Sequence, residues 1–92
     1  MEFPFNDAPN TAVITCSHVV EKHRPILYVS HDEDDGMWQF LCGKQHDESE
    51  ARIVSLYYIF MLDHSIAELA RLPYGYAAER ESIETEWIIR KK

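Results

Sequence analysis

Two apolar runs, Ile26-Leu27-Tyr28-Val29-Ser30-His31 and Met37-Trp38-Gln39-Phe40-Leu41-Cys42, flank the polar segment Asp32-Glu33-Asp34-Asp35-Gly36. Residues with β-branched and aromatic side chains favour a pleated, half-buried surface, and Asp-Gly takes the positive backbone torsions of a tight hairpin turn. A β-hairpin is therefore the firmest structural expectation. Two strands alone are marginal in water, so the hairpin needs further strands or a helix to cover it. Alternation in the second arm sends Trp38 and Phe40 to one face and Met37, Gln39 and Leu41 to the other, so both faces gain some cover.

The rest of the chain supplies that cover. Ala12-Val13-Ile14-Thr15-Cys16 reads as a short buried strand. Ser17 is placed to cap a brief helix whose apolar side is Val19, Val20 and His23 and which stops at Pro25. Gly43 to Glu50 is a polar loop. From Ala51 to Leu72 the period changes: Ile53, Leu56, Tyr57, Phe60 and Met61, then Ile66, Leu69 and Ala70, recur at three- and four-residue steps, which is helical spacing. Asp63 and Ser65 can each cap a turn, which divides the helix near Leu62-Asp63-His64. Ser55 can cap the first piece, leaving Arg52-Ile53-Val54 as an extended lead-in. Leu72-Pro73-Tyr74-Gly75 stops the helix. Ala77-Ala78-Glu79-Arg80 alternates weakly, and Glu86-Trp87-Ile88-Ile89-Arg90 fits a last strand. The expected fold is α+β: a small antiparallel sheet with a central β-hairpin and helices on one face.

Residues 1–11 carry Pro4, Pro9 and three Asn or Asp residues, and read as an irregular arm that Phe3 and Phe5 can pin to a single domain over 12–92. A chain of 92 residues is one domain with little surplus stability, which makes a homodimer an inexpensive supplement. The net charge of -7 repels phosphate backbones, so no nucleic acid is expected as partner. Two cysteines are too few for a disulfide framework. No segment has the pattern of a signal peptide or membrane span, so the sequence points to the cytoplasm and away from the membrane.

Four residues have metal-ligating chemistry in two close pairs, Cys16 with His18 and Cys42 with His46, and could satisfy tetrahedral zinc. Their spacing matches no standard finger, and two buried thiols with two ordinary histidines account for them as well; no cofactor is expected. The acidic hairpin tip fails as a calcium loop, since that register starts at His31 and puts Cys42 where a glutamate is needed. Cys42 with His46 or His64 makes a nucleophile only on paper, and a small hydrolase-like enzyme is the weakest alternative. Glu79, Arg80, Glu81, Glu84 and Glu86 read as a solvated charge pattern rather than an acid-base cluster. The aromatic surplus, Trp38, Tyr57, Tyr58, Tyr74, Tyr76 and Trp87, is divided between core and interface, and beside an acidic face it suits a basic protein partner. Candidate binding residues are Trp38, Tyr58, Asp63, Tyr74, Tyr76 and Arg80.

The ordered series Ile14-Thr15-Cys16-Ser17-His18-Val19-Val20, Ile26-Leu27-Tyr28-Val29-Ser30 and Asp35-Gly36-Met37-Trp38-Gln39-Phe40-Leu41-Cys42-Gly43 resembles a bacterial immunity-protein-like domain of unknown function. The resemblance continues through Val54-Ser55-Leu56, Leu62-Asp63, Leu72-Pro73-Tyr74-Gly75 and Ala78-Glu79-Arg80 to Trp87. It implies a small α+β fold and a non-catalytic, protein-binding role of the toxin-neutralising kind. It implies no catalytic residues.

Overall fold

The computed structural model describes residues 3–22, 24–43 and 48–92. Six strands form one sheet: β1 (Ala12–Cys16), β2 (Tyr28–His31), β3 (Trp38–Leu41), β4 (Ala51–Ser55), β5 (Tyr76–Glu79) and β6 (Ile88–Lys91), in the spatial order β4-β1-β3-β2-β5-β6. Two short helices, α1 (Ser17–Val20) and α2 (Leu56–Leu62), and a 3-10 helix over His64–Leu69 pack against it. This is the expected α+β architecture, with the hairpin β2–β3 at the centre. The sheet is mixed rather than wholly antiparallel: β1 runs parallel to β3, pairing Ile14 with Gln39 and Thr15 with Phe40, and every other neighbour is antiparallel.

Paired residues share a face, so the registers place Val13, Thr15, Phe40, Trp38, Val29 and Ala78 on one side. All six are buried, and Val19, Leu56, Ile59, Phe60, Ile66 and Leu69 from the helical layer join them in the core. The alternation expected for β3 holds, with Trp38 and Phe40 buried and Gln39 and Leu41 half-buried. Thr15 is polar yet fully buried, because its Oγ1 donates to the Phe40 carbonyl at 2.6 Å and so meets the demand that a buried hydroxyl be bonded.

The hairpin turn differs in detail. Gly36 alone takes a positive φ, +72°, and a Cβ there would lie 3.3 Å from the Tyr74 ring. Asp35 contributes through its side chain instead, its Oδ1 accepting from the Met37 amide at 2.9 Å.

Helical periodicity over-reached at Ala51–Ser55, which is a complete strand against β1. The apparent three-residue step from Ile53 to Leu56 spans a strand end and a helix start. Ser55 is the cap of α2, its hydroxyl accepting from the Tyr58 amide at 3.1 Å, and Asp63 caps the next piece by accepting from the Ser65 amide at 2.9 Å. That second piece is 3-10 rather than α. Ser17 does not cap α1: Cys16 occupies the cap position without a side-chain bond, and Ser17 is the first helical residue. Within the loop expected over Gly43 to Glu50, Glu48–Glu50 is a 3-10 turn. His23 and residues 44–47 lie outside the described residues.

The arm is fastened by its phenylalanines and by its backbone. Phe5 is 5% exposed and meets Trp38 edge-on at 5.3 Å between centroids, and Phe3 meets Phe60 at 5.7 Å. The Thr11 and Pro9 carbonyls accept from the Leu56 and Tyr57 amides at 2.8 and 2.9 Å, satisfying donors that a helix start leaves without partners. Phe5→Ala is expected to cost about 3–4 kcal/mol in urea unfolding with an unchanged m-value. Ser55→Ala is expected to cost about 1 kcal/mol. A loss below about 1 kcal/mol for Phe5→Ala would show that the arm is not part of the cooperative core.

Candidate metal centre

At the end of β1 the chain passes from strand directly into helix, and this junction gathers three ligand types. Cys16 ends the strand, His18 lies in the first turn of α1, and Cys42 follows β3, the parallel neighbour of β1. The Sγ atoms of Cys16 and Cys42 and a ring nitrogen of His18 all lie within 4.8 Å of one another. Both cysteines are fully buried and reduced, whereas the His18 side chain is 25% exposed, so the cluster meets solvent on its histidine side. Cys42 Sγ and His18 Nδ1 are 3.9 Å apart. A tetrahedral zinc with bonds of about 2.3 Å to sulfur and 2.0 Å to nitrogen needs roughly 3.5 Å between S and N and 3.8 Å between two S atoms. The Cys42–His18 pair is within a few tenths of an ångström of that spacing, and a shift of up to about 1 Å brings Cys16 Sγ to the same ion.

Two residues not singled out in the sequence complete the surroundings. Glu50 Oε2 lies 3.2 Å from His18 Nε2. The contact is a close charge pair rather than an aligned hydrogen bond, and a small turn of the ring would point Nε2–H at that carboxylate and leave Nδ1 for the sulfurs, the arrangement in which carboxylates orient metal-binding histidines. Glu50 reaches this position because Cys16 pairs with Ala51 across the antiparallel β1–β4 register, which brings residue 50 level with the start of α1. No local motif announces it. Arg24 Nη1 donates to Cys42 Sγ at 3.9 Å and places positive charge beside a sulfur that a metal needs as thiolate. Burial pushes the Cys16 thiol above its ordinary pKa. The backbone donors of Val19 and Cys42 oppose this, and the neighbouring Cys42 sulfur adds to it. Metal binding must therefore displace a tightly held proton. His46 lies outside the described residues, and among the described residues three of the four expected ligands come together.

The expected binding residues do not form one site. Trp38 is 1% exposed, stacked on His31 at 3.9 Å with its indole N–H donating to Asp7 at 3.4 Å, and it belongs to the core. Tyr58 and Tyr74 are exposed at the surface, and Tyr76 is half-buried in β5. Asp63 and Arg80 are bonded to each other: Arg80 Nη2 donates to Asp63 Oδ2 at 2.8 Å, Nη1 to Ser65 Oγ at 3.0 Å, and Nε and Nη2 to the Ile26 carbonyl. The Trp87 ring covers the guanidinium at 4.1 Å. Glu79 pairs with Arg90 at the surface, so the acidic and basic residues of 79–86 separate into a buried arginine and a solvated edge. His64 stacks on Phe60 at 4.6 Å; among the described residues the histidine that Cys42 meets is His18.

The acidic hairpin tip is a clamp. Asp32 accepts from Lys92 Nζ at 2.6 Å, Gln39 Nε2 at 2.7 Å and Ser30 Oγ at 3.3 Å. Burial alone would raise its pKa, but the hydrogen bonds from Lys92 and Gln39 and the Lys92 charge outweigh burial and hold it below the usual carboxylate value. Among the described residues, no helix is long and apolar enough to cross a membrane. No protein-family model matches the chain, and no curated protein or solved structure is significantly similar to it.

Two predictions follow from these bonds. Replacing Arg80 with Met strips the Ile26 carbonyl and Asp63 Oδ2 of their Arg80 donors and is expected to cost about 3 kcal/mol in chemical denaturation; a loss under about 1 kcal/mol would deny Arg80 that role. Asp32, with its folded pKa depressed, stabilises the fold at neutral pH. That contribution is lost as pH falls from about 4 through the folded pKa. The Lys92 ammonium, raised mainly by its hydrogen bond to Asp32, contributes until pH rises through its own folded pKa. The pair is partly exposed and is worth under about 1 kcal/mol, so Asp32→Asn should differ from wild type at pH 7 and converge with it near pH 2.

Proposed function

We propose that this protein is a small accessory domain that binds a zinc-class cation through Cys16 Sγ, Cys42 Sγ and His18 Nδ1. The observation that carries the reading is the convergence of two buried sulfurs and one imidazole within 4.8 Å, Cys42 arriving from 24 and 26 positions beyond His18 and Cys16. Two sulfurs and a nitrogen form a borderline-soft set that suits zinc and disfavours magnesium and calcium. Glu50 orients the histidine, and Arg24 favours the thiolate form of Cys42. Three protein donors leave one coordination position for a further ligand. Catalysis does not follow from that position alone.

Titration of zinc into the metal-free protein, followed by calorimetry and thermal melting, is expected to give one equivalent bound and a raised Tm. Affinity should fall as pH is lowered from 8 to 6, because the metal must displace thiol protons. Cys42→Ser removes a ligand and should weaken binding by about 100-fold or more. Glu50→Gln should weaken it about 10- to 100-fold. Absence of stoichiometric binding, or unchanged affinity in both variants, would overturn the reading.

A protein-binding role, of the toxin-neutralising kind implied by the family resemblance, is a second reading. It is supported by the large apolar side chains that stay exposed: Tyr57 at 50%, Tyr58 at 38% and Met61 at 47% on α2, with Tyr74 at 64%. Direct binding between this chain and a basic toxin encoded beside it, abolished by Tyr58→Ala with metal affinity unchanged, is the expected result. No binding to such a neighbour would count against it.

A further inference from the structure

A concave groove of about 770 Å³ lies beside the helical layer, bounded by Val19 and Lys22 at the end of α1, the extended segment Pro25 to Leu27, the last turn of α2 and residues 81–83. Its volume is that of a small-molecule site. Val19, Ile26, Leu62, Met61 and Ile83 give it apolar walls. Met61 is 47% exposed and Ile83 63% exposed, two large apolar side chains standing in water at the same opening.

The charge around the groove is uneven. Asp63, on its lining, is already spent: Oδ1 accepts from the Ser65 amide and hydroxyl, and Oδ2 from Arg80. What remains is Lys22 and Arg24 against Glu81, a local excess of positive charge on a chain whose net charge is -7. Lys22 has no ion-pair partner among the described residues, and it holds φ at +62°. That left-handed conformation ends α1, with the Lys22 amide donating to the Val19 carbonyl at 3.0 Å and the Arg24 amide to the His18 carbonyl at 3.2 Å, and it sets Lys22 on the lining of the groove.

We propose that this groove binds a small amphipathic carboxylate of the medium-chain fatty-acid kind, free in solution. Its chain lies along Val19, Ile26 and Leu62 and covers Met61 and Ile83, and its carboxylate is held by Lys22 and Arg24. The apolar walls contribute burial common to any such chain, and the basic rim selects the charge of the head. Arg24 also donates to Cys42 Sγ, so Lys22 is the part of this rim that has no contact with the Cys16, His18 and Cys42 cluster among the described residues.

The test is an amide chemical-shift titration of the full chain with octanoate, octylammonium and octanol, each below its aggregation concentration. Octanoate is expected to saturate with the largest shifts at 19–22, 61–62 and 81–83, and octylammonium to bind at least tenfold more weakly, the factor corresponding to about 1.4 kcal/mol. Lys22→Gln should weaken octanoate about tenfold and leave octanol unchanged. Lys22→Gly, which relieves the positive φ, should lose the same affinity while melting no lower than wild type, separating loss of binding from loss of fold. Equal affinity for octanoate and octylammonium, an unaffected Lys22→Gln variant, shifts centred elsewhere, or a response only above the aggregation concentration would each overturn the proposal.

Discussion

The parallel contact between β1 and β3 is the constraint on which the rest of the structure depends. A parallel neighbour cannot be reached by a tight turn, so the chain leaves β1 through α1, returns along β2 and reaches β3 only after the hairpin. That route makes β1 an inner strand, with β4 on its other side, and carries the buried Thr15–Phe40 bond into the centre of the sheet. It also brings Cys16 and Cys42 to the same end of adjacent strands. An antiparallel partner at this place would send the two sulfurs to opposite ends, and the cluster with His18 would not exist.

The helical layer is held to this sheet by packing and by one buried cation. Arg80 follows β5, binds the carbonyl before β2 and joins the Asp63–Ser65 cap, so a single guanidinium ties the outer half of the sheet to the 3-10 helix. Its charge is matched by Asp63 and its plane is covered by Trp87, the conditions under which a buried charge is tolerated. Phe3 and Phe5 close the core against Phe60 of α2 and Trp38 of β3. The Cys16, His18 and Cys42 cluster thus lies where the start of the helical layer meets the inner strands, with its sulfurs buried and its histidine partly exposed.

Much of this was legible in local sequence because local chemistry decides it. Asp35-Gly36 between two β-rich runs specified the hairpin, and Ser55 and Asp63, placed before helical periods, specified their caps. Features set by long-range pairing were not legible. The helical period included Ile53, yet Ser55 as a cap left Arg52-Ile53-Val54 extended; that this lead-in is a full strand of the sheet is imposed by β1 and had no local signal. Trp38 read equally well as an interface or a core residue, and burial against Phe5 and His31 settled it. Cys16, His18 and Cys42 were recognisable as ligand types, but their meeting depends on the parallel register, and Glu50 enters only through the β1–β4 pairing. Sequence identifies donors; topology decides which of them come together.

The central claim is that two sulfurs and one imidazole hold a single cation, and zinc-edge X-ray absorption of the zinc-loaded protein reads that coordination shell directly. Two sulfur scatterers near about 2.3 Å, one imidazole nitrogen near about 2.0 Å and one further light donor are the predicted result. A shell made only of oxygen and nitrogen donors would contradict it, because the metal would then be bound away from Cys16 and Cys42.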